Sequence, residues 1–239
     1  MIQVYEATDT GRIRPSNEDS VAVFEPFVFV VADGMGGEAA GEVASKMLTD
    51  FVRDQLEGKN DISEADLKQA ILGANQAILA SASVNAAYRG MGTTATILHI
   101  GSYEQSACWA HVGDSRLYVI RNGQKELEQV TKDHSYVEEL VEQGSITAEE
   151  ARNHPQRNLL LRAVGVNGEL KVDTGYLDVK AGDVFLLATD GLMKLVSDSQ
   201  IAEVLLNPAQ GNPAQKLVDL ALNAGGLDNI TAVVVVCSQ

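Results

Sequence analysis

The chain has 239 residues, of which 45% are hydrophobic, and a formal net charge of −15 at pH 7. Because the negative charge is spread along the chain and repels polyanions, nucleic acid and anionic membrane surfaces are not expected as main partners. The hydrophobic content allows a sizeable core, and five prolines without a linker-like segment favour one domain over 1–239.

The start of the chain and its cysteines argue against a secreted or membrane-spanning protein and against a cysteine-based enzyme. No basic segment followed by an apolar one opens the chain, and no apolar run approaches the roughly 20 residues of a membrane span, so we expect a soluble, cytoplasmic protein. Cys108 and Cys237 lie in apolar, strand-like runs, which predicts buried, unpaired thiols. Asp114 stands six residues after Cys108, where a cysteine-nucleophile phosphatase carries an arginine, so covalent thiol chemistry is not expected.

The order of predicted elements favours an α+β fold. Apolar, β-branched and aromatic runs between turn residues predict strands at 2–8, 20–24, 27–32, 93–100, 106–112, 116–121, 170–179, 183–188 and 230–237. Helical patterns cover about 38–57, about 63–86, 135–144, a short stretch after Thr147, and about 213–223. Two adjacent long helices among antiparallel strands indicate layers of sheet and helix rather than regular βαβ alternation.

One stretch, FVFVVADGMGGEAAGE, has two interpretations. Gly34, Gly36 and Ala39 fit the dinucleotide fingerprint G-x-G-x-x-G/A between a strand and a helix. Asp33, however, would place a carboxylate where the phosphate should bind, and the repeated βα alternation of such folds is missing. In the second interpretation Asp33 faces a cation at the strand end. Gly34 then turns the backbone sharply and frees its carbonyl as a ligand, while Gly36 and Gly37 let the next helix pack closely.

Aspartates also stand at or beside the ends of other apolar strands. Asp190 follows VFLLAT, Asp114 follows CWAHVG, and Asp228 precedes NITAVVVVC. Each alone is an ordinary turn residue. Together, at one rim of a sheet core, they would repel unless some are protonated or a cation lies among them. Oxygen ligands without a zinc-like His or Cys set select Mg²⁺ or Mn²⁺.

The loop GRIRPSNEDS adds a positive charge to these acids. The guanidinium of Arg14 can bind two phosphate oxygens at once, and Glu18 and Asp19 can hold metal-coordinated water. Taken alone, the segment is better explained by a surface arginine and a capped turn.

Eight short motifs occur in an order that resembles the PP2C-type (PPM) metal-dependent serine/threonine phosphatases in their compact bacterial form. They are RPSNED, ADGMGGEAAGEVAS, GTTAT, HVGDSRLY, DHS, HPQRNLLLRAVG, ATDGL and DNITAVVV. The resemblance covers nearly the whole chain. It implies a four-layer αββα sandwich, in which two central antiparallel sheets are flanked by helices.

The resemblance also implies a two-metal site for Mn²⁺ or Mg²⁺. Asp33 would bridge the two ions, with the Gly34 carbonyl on one of them. Asp190 and Asp228 would hold the other ion, and Asp114 would bind a third, weaker one.

The remaining implied roles concern water and phosphate. Asp19, with Glu18, would steady metal-bound water, and Arg14 would bind the substrate phosphate. Water bridging the metals would attack phosphorus in line, with no phosphoenzyme.

The chain departs from the family pattern at several positions. Glu38 replaces a histidine frequent in bacterial relatives, and Met35 lies where animal members carry a histidine proposed as general acid. The leaving-group proton would then come from metal-bound water. Leu161 stands where threonine is common, and Met193 and Lys194 stand where TD is usual. These changes concern the substrate surroundings more than the metal core.

The implied partners are phosphorylated proteins, namely substrates of a bacterial Ser/Thr kinase and the kinase itself, acted on by a monomer. A flap at about 135–165 would border the cleft and tune substrate choice. The alternatives are a pseudophosphatase that binds phosphoproteins without turnover and a partner-switching phosphatase for one regulator. Retention of all the implied metal carboxylates argues against the first, and the missing sensor domain argues against the second.

Overall fold

Two antiparallel sheets form the centre of the computed structural model, which describes residues 1–36, 40–101, 106–166, 169–208 and 211–238. The first sheet has the strand order β1 (Ile2–Asp9), β11 (Ile230–Cys237), β10 (Val184–Ala188), β7 (Arg116–Ile120) and β8 (Glu128–Gln129). The second has the order β2 (Asp19–Phe24), β3 (Val28–Met35), β5 (Ala95–Ile100), β6 (Ser106–Val112) and β9 (Asp173–Asp178), with β4 (Gly92–Thr93) paired to the end of β3.

Helices cover the outer face of each sheet. The long helices α1 (Ala40–Leu56) and α2 (Glu64–Val84), followed by a 3₁₀ turn (Ala86–Tyr88), pack on the second sheet. The first sheet carries α5 (Asp190–Met193), α6 (Asp198–Leu205) and α7 (Pro213–Asn223). Two short helices, α3 (Tyr136–Glu142) and α4 (Ala148–Arg152), lie in the connection between β8 and β9. The predicted α+β sandwich of four layers is confirmed.

The side-chain alternation of the strands explains the layers. In β3, Phe29 and Val31 face the other sheet, whereas Val28, Val30 and Ala32 face the helices. Because successive side chains of a strand point to opposite faces, an apolar run of this kind fills two cores at once. The central strands are therefore buried on both faces, and their polar ends are left at the rim.

Several predicted boundaries differ from those observed. Strand β3 was expected to end at 32 but continues to Met35, because Asp33 pairs with Asp19 and Gly34 pairs with Thr93. The sharp turn expected at Gly34 is therefore wrong. Helix α6 was not predicted, although its capping box of Ser197 and Gln200 is readable in the sequence. The predictions for Gly37 and Glu38 fall outside the described residues.

The predicted burial of both thiols is confirmed, since Cys108 and Cys237 lie in the core. Among the helices of the described ranges, none combines the length and apolar character that a membrane span requires.

Candidate metal centre

The carboxylates predicted to bind metal come together at one rim of the sandwich. Asp19 and Asp33 face each other directly across β2 and β3. Asp190 begins α5 just after β10, and Asp228 lies two residues before β11, the strand that pairs with β10. The negative charges of Asp19, Asp190, Asp114 and Asp228 all act on Asp33, so the strand ends of both sheets contribute to one acidic cluster.

Burial and mutual repulsion raise the pKa values of these acids. Burial raises the pKa of Asp19 to about 7 and that of Asp114 to about 8, and neighbouring aspartates add to both shifts. The pKa of Asp33 is raised well above its usual range, first by burial and then by Asp19 and Asp190. Acids in this position are ionised at neutral pH only if positive charge compensates them, which a bound cation would supply.

Two carboxylate oxygens are buried and have no hydrogen-bond partner among the described residues, namely Oδ1 of Asp19 and Oδ1 of Asp190. The other oxygen of Asp19, Oδ2, accepts hydrogen bonds from Thr189 Oγ1 at 2.8 Å and Thr231 Oγ1 at 2.7 Å. One oxygen of Asp19 is therefore held in place while the second is free to bind a ligand. Buried polar atoms normally find a partner, so these oxygens fit a hard cation.

The side chains alone do not complete a coordination sphere. Within the described ranges, no group of three or more His, Cys, Asp or Glu side chains is arranged closely enough to hold an ion by itself. Backbone carbonyls and waters would have to supply the remaining ligands, as is usual for Mg²⁺ and similar hard ions.

The Thr pair of the GTTAT motif positions Asp33, a role that the sequence analysis did not assign. The Asp33 backbone N–H donates to Thr94 Oγ1 at 2.9 Å, and its carbonyl accepts from Thr93 Oγ1 at 3.0 Å. Thr94 Oγ1 also bonds to Ser115 Oγ at 2.7 Å, next to Asp114 in the turn between β6 and β7. Asp33 and the Asp114 turn are therefore linked through one hydroxyl.

Gly34 lies in β3 where the start of α1 comes closest. A Cβ atom added to Gly34 would lie 2.1 Å from the Gly41 carbonyl oxygen and 2.5 Å from that of Glu18. The Gly34 N–H donates to the same Glu18 carbonyl at 3.1 Å. Glycine is therefore required here by the close approach of backbone, not by a turn. The Glu18 carboxylate lies beside Gly41, and burial raises its pKa.

Two positively charged side chains of the described residues, Arg14 and Lys194, contact the acidic cluster. The Arg14 guanidinium binds both oxygens of Asp228, with Nε to Oδ1 at 2.8 Å and Nη2 to Oδ2 at 3.2 Å. Lys194 Nζ forms an ion pair with Asp190 and lies 3.5 Å from Asp228 Oδ2. Arg14 is exposed and lies directly at the cluster, and its phosphate-binding role stays a prediction.

Asn229 is a second organising residue that the sequence analysis missed. Its Oδ1 accepts from the Glu18 N–H at 2.8 Å, and its Nδ2 donates to the carbonyls of Thr10 and Ser16 at 2.9 and 2.8 Å. Through these bonds Asn229, which follows Asp228 directly, fixes the loop that carries Arg14. The only sequence signal was a polar residue between Asp228 and an apolar strand.

The segment predicted as a flap, 135–165, is tied at its base. The Leu161 N–H donates to the His134 carbonyl at 2.8 Å, and the Gly113 N–H donates to His134 Nδ1 at 3.1 Å. His134 Nε2 lies 3.1 Å from Asp173 Oδ2, and Arg162 binds the other oxygen of Asp173 at 2.8 Å. The base of this segment therefore rests on the residue before Asp114.

Comparisons with known proteins identify the family that the chain resembles. The family profile "Protein phosphatase 2C" matches residues 16–220. The chain is 42% identical over 229 residues to the serine/threonine protein phosphatase PstP of Mycobacterium tuberculosis, covering 95% of this chain and 43% of that protein. It is 38% identical over 239 residues to the serine/threonine phosphatase Stp of Listeria monocytogenes, covering 95% of this chain and 93% of that protein.

A solved structure extends the likeness to the fold. The catalytic domain of PstP, crystallised in complex with two manganese ions, superposes with a TM-score of 0.89 at 37% identity, covering 100% of this chain and 99% of that one. The chain thus spans less than half of full-length M. tuberculosis PstP but nearly all of its solved catalytic domain. By profile, sequence identity and fold alike, the chain belongs to the protein phosphatase 2C family of bacterial serine/threonine phosphatases.

Proposed function

We propose that this chain hydrolyses phosphoserine and phosphothreonine esters in proteins with the help of two divalent cations, Mn²⁺ or Mg²⁺. The observation that carries the proposal is the buried acidic cluster, with orphaned oxygens on Asp19 and Asp190, directly beside the Arg14 guanidinium. Its family membership supports the same activity. Bound cations supply acidification of a water that attacks phosphorus and neutralisation of charge on the phosphoryl oxygens.

Four residues would bind the core ions, and a fifth would orient water. Asp33, the Gly34 carbonyl, Asp190 and Asp228 would hold the two core ions. Asp19 would orient water through Oδ1, because two threonine hydroxyls hold Oδ2 in place.

Three further residues would act at the edge of the core. Arg14 would bind the phosphoryl oxygens, Glu18 would support water at the start of α1, and Asp114 would hold a third ion. A cysteine nucleophile does not compete with this mechanism, because burial raises the pKa of the Cys108 thiol to about 12.

We further propose that the chain acts as a monomeric catalytic domain over 1–239. Its substrates would be proteins phosphorylated by a bacterial Ser/Thr kinase, and the kinase itself. The rival is a pseudophosphatase, which would bind a phosphopeptide without releasing phosphate.

The first test is phosphate release from a phosphothreonine peptide by metal-stripped protein. We expect release only when Mn²⁺ or Mg²⁺ is added and none in excess EDTA. Alkylation with iodoacetamide should leave the rate unchanged, because no step uses a thiol. Full activity without metal would refute the mechanism, and peptide binding without release at saturating Mn²⁺ would establish the pseudophosphatase.

A second prediction concerns Arg14. Arg14→Ala should raise KM for a phosphopeptide by about tenfold or more, since a charge-assisted, two-oxygen contact is lost. The fall in kcat should be smaller, because the contact exists in both the ground and transition states. Arg14→Lys should recover only part of the loss, because an ammonium group cannot bind two oxygens in the same fork.

The matched control is Arg12→Ala in the same loop. Arg12 Nε donates to the Leu222 carbonyl instead of a carboxylate, so this variant should change KM much less. An unchanged KM in Arg14→Ala would show that Arg14 does not bind the substrate phosphate.

A further inference from the structure

Lys194 is placed by the local chain geometry over the acidic cluster. It follows the single turn of α5, four residues after Asp190, and its backbone N–H donates to the Asp190 carbonyl at 2.9 Å. Residues four apart on a helical turn lie on the same face, so the side chain folds back over the start of the helix. There its Nζ pairs with Asp190 and lies 3.5 Å from Asp228 Oδ2.

Both partners of Lys194 are residues to which we assign a core cation. Lys194 Nζ contacts Oδ2 of each, while Oδ1 of Asp190 has no partner among the described residues. An ammonium group and a divalent ion placed between the same carboxylates would repel each other and compete for the same oxygen lone pairs. The Lys194 ammonium thus supplies, next to Asp190 and Asp228, part of the positive charge that a divalent ion would bring.

We propose that Lys194 competes with the divalent cation for Asp190 and Asp228 and so lowers the affinity of the core site for that cation. This inference rests on the proposed function for its assignment of the two aspartates. The lysine side chain is 30% exposed, so its ammonium can leave for solvent when a divalent ion binds. The core site then fills at higher free concentrations of the divalent cation than it would if Lys194 carried no charge.

Lys194 differs from an ordinary ion pair between side chains four residues apart, because it also contacts Asp228. Surface ion pairs between side chains four residues apart contribute little to stability. Here the ammonium contacts two carboxylates from different elements, Asp190 of α5 and Asp228 before β11, and reduces the repulsion between them that remains after Arg14 has paired with Asp228. Removing the positive charge should therefore change cation binding far more than it changes the fold.

The test is calorimetric titration of metal-stripped protein with MnCl₂. Lys194→Met, which keeps most of the length of the side chain but not its charge, should bind Mn²⁺ with a Kd about tenfold lower than the unsubstituted protein. Lys194→Arg should keep the weaker affinity. Lys68→Met removes a lysine from the exposed face of α2, in the opposite outer layer, and should leave the Kd unchanged.

Thermal unfolding supplies a second readout that needs no activity. Without metal, Lys194→Met should unfold at a lower temperature than the unsubstituted protein, because Asp190 loses its ion pair and, among the described residues, only Arg14, on Asp228, still offsets the repulsion between the two aspartates. Added Mn²⁺ should raise its unfolding temperature by more than it raises that of the unsubstituted protein. Lys194→Gln must show the same two shifts, which guards against a packing effect of methionine.

The outcomes separate the inference from the proposed function. If the unsubstituted protein binds Mn²⁺ and Lys194→Met binds it equally or more weakly, the competition is refuted while the metal mechanism stands. If the unsubstituted protein binds no Mn²⁺ at all, both are refuted.

Discussion

Replacing Asp33 by asparagine is expected to lower kcat on a phosphopeptide on the order of a hundredfold or more. Asparagine has the same shape, so the β2–β3 pairing with Asp19 should persist, but a neutral amide cannot hold two cations as a carboxylate does. Asp33 is also the acid on which the charges of four other aspartates act. Its loss should therefore affect the centre of the site rather than its edge.

Steady-state kinetics at saturating Mn²⁺, combined with calorimetry, would measure this effect. Asp33→Asn should weaken both tight cation sites, whereas Asp114→Asn should remove only the weak one. Asp50→Asn on the exposed surface of α1 removes the same charge away from the cluster and should leave kcat unchanged.

Asp33→Asn should also unfold at a higher temperature than the unsubstituted protein when both lack metal. Asparagine carries no charge for Asp19 and Asp190 to repel, and burial of a neutral group costs less. A variant that loses turnover while its unfolding temperature rises cannot have lost activity by misfolding. Wild-type kcat in Asp33→Asn would remove Asp33 from the metal centre.

The second large effect is expected at Gly34. Gly34→Ala should lower the free energy of unfolding by about 3 kcal/mol or more, and turnover should fall with it. The added methyl group would overlap the carbonyl oxygens of Gly41 and Glu18, which are backbone atoms and cannot rotate away. Relief of the first overlap requires α1 to move away from β3, and relief of the second requires the Glu18 backbone to shift, which displaces Glu18 from the site.

Urea unfolding followed by circular dichroism would measure the loss. The matched control is Gly101→Ala, where the added Cβ would lie 3.3 Å from the Ser106 carbonyl oxygen, the nearest atom of the described residues. That variant should lose much less stability. Equal stability of Gly34→Ala and Gly101→Ala would show that the contact between β3 and α1 is looser than the structure has it.

Sequence reasoning predicted those parts of the molecule that depend on local patterns. The continuous apolar runs of β3 and β11 and the helical pattern at about 63–86 specify elements that do not need the rest of the chain for recognition. Convergence of Asp33, Asp190 and Asp228 followed from their place at strand ends. The resemblance to a known family, rather than periodicity, supplied the four layers.

The residues that support the site were not predictable in this way. Thr189 and Thr231 both bond to Asp19, but they lie far from it in the chain, and a threonine beside an apolar strand has many ordinary explanations. Asn229 acts through three backbone groups whose positions exist only in the folded protein. The contact of Lys194 with Asp228 likewise depends on how α5 meets the segment before β11.

The direct pairing of Asp19 with Asp33 has a consequence for the life of the protein in the cell. Like charges opposite one another on neighbouring strands weaken a sheet, and here they lie in the edge strand β2 and its neighbour β3. A ligand that binds only the folded chain stabilises it in proportion to the logarithm of its free concentration. Divalent cation supply would thus set not only the rate of each molecule but also how long it resists proteases, so that scarcity of the ion would reduce the number of enzyme molecules as well as their turnover.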